Sequence, residues 1–452
     1  MPPTTATIID SEVFRDIFST EAMRRVFSDE SRVQKYLDFE AALARAEARL
    51  DIIPKEAAEE IVHHCNAGEI DFVKLKNETE RIGYPVLPVV KQLVARCRDG
   101  LGEWCHWGAT TQDVTDTATV LQLREALTLI ETDIDAIADA LARLAKKHRD
   151  TPMPGRSNLQ QAVPITFGYK MATVLAAFDR HKERLRELCE RALVGEFGGA
   201  AGTLASLGGR GLEVQTELMK ELKLGQPAIA WHTVRDTIAE VGCFLGLVAG
   251  TCGKIALDIK LLMQTEVEEV YEPFAEGRGS SSTMPQKRNP ISSAYITALN
   301  SVVRQQVAAL LDATVEDHER ATGPWQIEWI VLPEIFCLTA SALAQTLFML
   351  NGLEVDEKRM RANLDITHGL IASEAVMMGL GPYLGRQYAH HLVYEICRKV
   401  IATGRPLVDL LAENAEITKY LDRTALTRLC DPANYLGEAG AMVDRVLKLR
   451  QN

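Results

Sequence analysis

Residues 116–148 read DTATVLQLREALTLIETDIDAIADALARLAKKH, and the fold turns on them. Val120, Leu123, Leu127, Ile130, Ile134, Ile137, Leu141 and Leu144 follow one another at alternating steps of three and four. That spacing lines them up as one apolar stripe along a helix. A helix of 33 residues is roughly 50 Å long at about 1.5 Å per residue. Only neighbours of similar length can cover such a stripe, so the spacing predicts a bundle of long helices.

Further long helical patterns run over 168–194, 234–265 and 292–313, separated by Gly-, Pro- and Ser-rich segments at 151–164, 195–211 and 272–290. Residues before about 110 break into shorter helices at Pro54, Gly68, Gly83, Pro85, Pro88 and Gly100, and the last hundred do the same at Gly381, Pro382, Gly404, Pro406 and Pro432. Alternating β-branched runs are nearly absent, so strands are not expected. The predicted fold is all-α in three helical domains: 1–110, a long-helix bundle over 111–355, and 356–452.

A chain of 452 residues with 47% hydrophobic content can bury a large core. Its net charge of −12 comes with scattered Lys and Arg, which argues against nucleic acid as a partner. The nine cysteines are odd in number and never form CxxC pairs, the pattern of thiols in a reducing cytoplasm. The N-terminus lacks a basic head followed by an apolar core, and the weakly polar run at 241–253 is too short to span a bilayer. A cytoplasmic protein with no membrane partner is expected. No GxGxxG or Walker-type loop occurs, and the pairs His63–His64 and His390–His391 lack ligand spacing, so neither cofactor nor metal is expected.

Four segments carry chemistry. Residues 279–290, GSSSTMPQKRNP, form a small-residue loop followed by a cation and an amide before a proline that can open a helix. Serine hydroxyls, Lys287 and Asn289 suit a carboxylate, although GSSS alone reads more readily as a solvated linker. Residues 106–117, HWGATTQDVTDT, bring hydroxyls to the entrance of the long helix, where they can cap it or meet an anion. Residues 155–168 read GRSNLQQAVPITFG and residues 231–236 read WHTVRD. Arg235 there suits bidentate carboxylate binding, with an interhelical hydrogen-bond cluster as the alternative.

Together these strings resemble the signatures of the fumarase/aspartase superfamily: GSSxMPxKxNP, HxGxTSxDxxDT, GRTHxxxAxPxTxG and WHTQRD. The resemblance implies a helical homotetramer with active sites shared between subunits, acting without a cofactor on a small polycarboxylate. It implies that Ser281 is the base, that Ser282, Lys287, Asn289, Thr110 and Thr111 bind substrate, and that His106 belongs to the site. Ser280 replaces the usual glycine. Asn158 stands where other members carry an acid histidine, and asparagine exchanges no proton near neutral pH. His106 and His232 are the nearest substitutes as catalytic groups.

Along residues 10–445 the chain is similar to bacterial 3-carboxy-cis,cis-muconate cycloisomerases, as at 37–48, 318–325 and 431–437. Those enzymes typically carry tryptophan at the place of Asn158 and often histidine at that of Gln161. The resemblance implies lactone formation and opening beside a carboxylate in aromatic catabolism, with Asn158, Gln161, Arg235 and Arg320 as further substrate contacts. The alternative is a C–N lyase that releases fumarate from an N-substituted aspartate. A catalytically silent structural homologue is a third reading, against which the intact Ser281, Lys287 and Asn289 argue.

Overall fold

Helix α1 (Asp29–Arg49) starts where the Ser28 hydroxyl accepts the Ser31 N–H, satisfying one of the free donors of a helix entrance. In the computed structural model, which describes residues 6–274 and 277–450, the predicted long helix is α2 (Thr111–Lys147), 37 residues. Seven stripe residues, Val120 to Leu141, are at most 2% exposed, and Leu144 is half-buried. The helix begins earlier than the apolar stripe because Asp113 in its first turn reaches back to the Thr110 N–H. A hairpin follows, β1 (Pro152–Ser157) and β2 (Gln160–Thr166), in a segment expected to be loop. The other long helices are α3 (Phe167–Ala192), α4 (Asp236–Leu262), α5 (Ile291–Asp312) and α6 (Pro324–Asn351).

Helix α6 was not among the expected long helices. Pro333 lies inside it, and its apolar residues leave no clean polar face for a periodicity to show. Helices α4 and α6 are long and apolar enough to cross a bilayer, but more than half of each apolar window is buried within the protein. They are core helices of an all-α fold.

The chain groups into two compact units. One collects Met1–Ile134, His181–Cys252 and Tyr295–Ala344, and the other Asp135–Arg180, Gly253–Ala294 and Gln345–Asn452. In the first unit, α1 is the centre of an apolar cluster built by Leu37, Phe39, Leu43, Ile61, Val89, Leu93, Phe197 and Leu218. In the second, a C-terminal cluster forms around Val376, Leu380, Ile396, Leu407 and Leu426. All nine cysteines are free thiols.

Candidate active site

In the first unit the entrance of α2 is organised by Asp113. Its buried carboxylate accepts four hydrogen bonds: from the Thr110 N–H at 2.9 Å, the Gly198 N–H at 2.9 Å, the Gly199 N–H at 3.0 Å and His232 Nε2 at 2.7 Å. Thr110 and Thr111 are half-buried there, and their hydroxyls have no partner among the described residues. Glu196 stands beside His232, with Oε1 3.8 Å from Nε2. Its Oε2 accepts the Trp231 N–H, while Oε1 is buried without a hydrogen-bond partner. Burial pushes the Glu196 carboxyl up to about 7.

Asp113, Glu196 and His232 converge within 4.8 Å, the one group of three potential metal ligands among the described residues. Asp113 is already held by three backbone N–H groups and the imidazole, so the trio closes as a hydrogen-bond junction rather than as an open ligand set.

Arg235, expected as a substrate contact, is 1% exposed and bidentate to two of the protein's own carboxylates. It donates to Asp116 at 2.7 and 3.0 Å and to Glu328 at 2.9 and 2.5 Å. Trp325 Nε1 adds a bond to Asp116 at 3.0 Å, and the Trp231 ring lies under the guanidinium. Burial works against the charge of Arg235, but Asp116 and Glu328 hold it ionised. Arg320 donates to Gln112 Oε1 at 2.7 Å and to the Ala200 carbonyl at 2.7 Å, so it fastens the glycine-rich segment after Glu196 to α2.

His106 has a positive φ of 60°, a backbone state that costs a non-glycine residue about 1 kcal/mol or more. Its Nδ1 lies 2.6 Å from Glu40 Oε1 on α1, and Glu40 is 1% exposed. Burial disfavours the imidazolium, yet the Glu40 carboxylate outweighs that and holds the His106 pKa above the usual histidine value.

In the second unit, Ser281 Oγ accepts the Met284 N–H at 3.0 Å and the Thr283 N–H at 3.3 Å. Two amides aimed at one hydroxyl oxygen are what an alkoxide needs. Asn289 pins the base of the loop: its side-chain amide donates to the Gly279 carbonyl at 2.8 Å and its backbone N–H to the same oxygen at 3.1 Å. Gly279 has φ 69°, and a Cβ there would sit 2.8 Å from the Asn289 carbonyl oxygen. Arg288 clamps the far side through Glu354 and the Glu272 carbonyl. Ser282 and Lys287 are exposed, and their side chains have no partner among the described residues.

Asn158 and Leu159 form the tip of the hairpin, with φ of 50° and 65° between the paired Ser157 and Gln160, the pattern of a two-residue I′ turn. Asparagine tolerates that state better than leucine does, and Leu159 is 81% exposed there. Gln161 donates to the Asn363 carbonyl at 2.7 Å. Arg156 is bidentate to the buried Glu269 at 2.9 and 2.6 Å, and Asn363 donates to the same carboxylate at 2.8 Å.

The structure thus gathers His106, Thr110, Thr111, His232, Arg235 and Arg320 in one unit and Asn158, Gln161, Ser281, Ser282, Lys287 and Asn289 in the other. Reading the sequence alone missed Glu40, Glu196 and Glu328 as members. A signal existed for Glu40: with Glu47 it interrupts the otherwise apolar buried face of α1.

A family described as "Lyase" matches residues 17–304, and one described as "Adenylosuccinate lyase C-terminus" matches residues 369–446. The chain is 59% identical to "Trans-aconitate decarboxylase 1" of Mycosarcoma maydis over 96% of this chain and 88% of that one. It is 48% identical to a 3-carboxy-cis,cis-muconate cycloisomerase of Pseudomonas aeruginosa over 97% and 96% of the two chains. Among solved structures, the 3-carboxy-cis,cis-muconate lactonizing enzyme from Pseudomonas putida superposes with a TM-score of 0.92 at 44% identity, over 98% of this chain and 99% of that one. Its four motifs, its all-α fold and these relatives make the chain an enzyme of the fumarase/aspartase superfamily.

Proposed function

We propose that this enzyme decarboxylates trans-aconitate, or a tricarboxylate of the same form, through a carbanion stabilised next to a carboxylate. The observation that carries the reading is the hairpin tip. Asn158 has no proton to exchange, and Gln161 commits its amide to Asn363. A C–N lyase must protonate a leaving amine, and this hairpin offers no acid for it. A leaving CO2 needs none. The 59% identity with the decarboxylase, against 48% with the cycloisomerase, supports the same choice.

In the reaction the bond between the carboxymethyl carbon and its carboxylate breaks, and CO2 leaves. The bond pair forms a new terminal double bond, while the pair of the old double bond moves to the carbon beside the far carboxylate. One proton added there gives the unsaturated dicarboxylate one carbon shorter. The substrate's own conjugated carboxylate takes up the electrons, so the chemistry needs no cofactor. Ser281 supplies the proton, and the Thr283 and Met284 N–H groups hold the alkoxide it leaves. Lys287, Ser282 and the hydroxyls of Thr110 and Thr111 meet the carboxylates. These groups work together in a cytoplasmic homotetramer whose sites draw on several chains.

The second reading is cycloisomerisation of 3-carboxy-cis,cis-muconate, favoured by the likeness to the Pseudomonas putida enzyme. It passes through the same kind of carbanion, with an internal carboxylate in place of CO2. Purified protein offered each acid separately distinguishes the readings. The expected result is one CO2 per trans-aconitate consumed and no reaction of carboxymuconate. Loss of carboxymuconate absorbance without CO2 from trans-aconitate establishes the cycloisomerase instead, and fumarate from an N-substituted aspartate establishes the lyase.

A further inference from the structure

We propose that His106 grips a carboxylate of the substrate as an imidazolium, and that Glu40 is the positioning residue that keeps it charged and correctly turned. The proposal rests on the polycarboxylate reading given above. Its basis is a hydrogen bond with only one sensible direction. A carboxylate only accepts, so against the Glu40 carboxylate Nδ1, 2.6 Å from Oε1, is the donor and carries a proton. The second ring nitrogen, Nε2, has no partner among the described residues, and the His106 side chain is 22% exposed where that of Glu40 is 1%. The ring is therefore anchored at its buried edge and presents Nε2 outward, four residues before the free hydroxyl of Thr110.

What Nε2 does then depends on one proton. In a neutral ring with Nδ1–H committed to Glu40, Nε2 is a lone pair and repels a carboxylate. In the imidazolium it is a charged donor, the strong kind of partner for that group. The charges that face the ring favour the second state. Glu40 lies against it and Asp113 stands further off on α2. The other titratable neighbours of Glu40 stay uncharged near neutral pH: burial raises the Cys65 and Cys105 thiols and pushes the Glu47 carboxyl up to about 9. The Cys105 thiol, 3.6 Å from Glu40 Oε2, donates to the second oxygen of the same carboxylate, fixing the plane in which it meets the imidazole. His106 itself is held in a left-handed backbone state, a strain that persists where the surroundings over-determine the side chain's direction.

The test uses Glu40→Gln, which keeps an oxygen for Nδ1–H and removes the charge, and Glu40→Asp, which keeps the charge on a shorter arm. Two measurements are made on the full-length protein. The first is deuterium exchange at the imidazole Cε1 of His106 against pH, read by mass spectrometry of its peptide, which reports the protonation of this histidine without any turnover. The second is the steady-state rate on trans-aconitate. The expected result for Glu40→Gln is a His106 titration moved to lower pH and a KM raised about 10-fold or more at neutral pH, with kcat changed far less. Glu40→Asp should restore part of both. A titration of His106 that does not move in Glu40→Gln overturns the proposal, and so does a fall in kcat with KM unchanged. If the titration moves but trans-aconitate is not consumed even by the parent enzyme, the substrate reading fails while the Glu40–His106 coupling stands. Should Glu40→Gln not fold, Glu40→Asp decides by its kinetics: a raised KM with kcat changed far less supports the assignment, and an altered kcat at constant KM contradicts it.

Discussion

Asp113 and His232, 119 residues apart in sequence, are joined by a 2.7 Å bond in the interior of the first unit. The same carboxylate holds the N–H groups of Gly198 and Gly199, so one side chain fastens the entrance of α2, the glycine-rich segment and the histidine. Asp113→Asn keeps the shape but turns one acceptor into a donor that faces buried donors. The expected loss is about 2–4 kcal/mol of unfolding free energy, because each stranded group costs on the order of 1–3 kcal/mol. Urea unfolding measures it, and a loss below about 1 kcal/mol contradicts this account of the junction.

Arg235 serves two buried carboxylates at once. Arg235→Met leaves Asp116 and Glu328 facing each other without a cation, and breaking a buried pair this way costs about 3–5 kcal/mol. A stability within about 1 kcal/mol of the parent would show that the pair has another partner in the assembled enzyme.

Glu47 gives the protein a definite pH dependence. Burial, with the Glu40 charge adding to it, pushes this carboxyl from its ordinary 4.5 up to about 9, and neither oxygen has a hydrogen-bond partner. Between those values the unfolded chain has released the proton and the folded chain keeps it, so stability falls as pH rises through that window. Glu196 contributes in the same direction up to about 7. Urea unfolding at pH 6 and pH 8 should show Glu47→Gln losing about 3 kcal/mol less than the parent between the two, since each of the two pH units inside the window corresponds to about 1.4 kcal/mol. Parallel curves for parent and variant contradict it.

The long α2 helix was legible because its stripe of apolar residues repeats without interruption, and the signature loop because its residues are local in sequence. Helix α6 was not legible, since Pro333 and an apolar surface on most sides leave no periodicity to find. Nor was the hairpin, whose strands contain Pro152, Pro154 and Pro164, residues that argue against strand. In the site, motifs identified positions but not partners. Arg235 reads in sequence as a carboxylate binder or as part of an interhelical hydrogen-bond cluster, and only the fold names Asp116 and Glu328 as its partners. Glu40 and His106 are 66 residues apart, and no local pattern links them.

The shared-site reading makes a prediction about mixtures. Ser281→Ala should lower kcat by about three orders of magnitude or more with the protein still folded, as loss of the proton-transfer group does. Thr111→Val should weaken substrate binding. Subunits carrying one change each, unfolded and reassembled together, should recover part of the activity, because some sites then receive an intact loop and an intact helix entrance. Equal inactivity of the mixture and of each variant alone contradicts shared sites.

Turnover of trans-aconitate in deuterium oxide tests the proposed chemistry most directly. Decarboxylation through the carbanion beside the far carboxylate predicts one CO2 per molecule and one deuterium on the saturated carbon next to that carboxylate, located by NMR of the product. Deuterium on the terminal double-bond carbon instead means that CO2 left from the double bond directly, and contradicts the account.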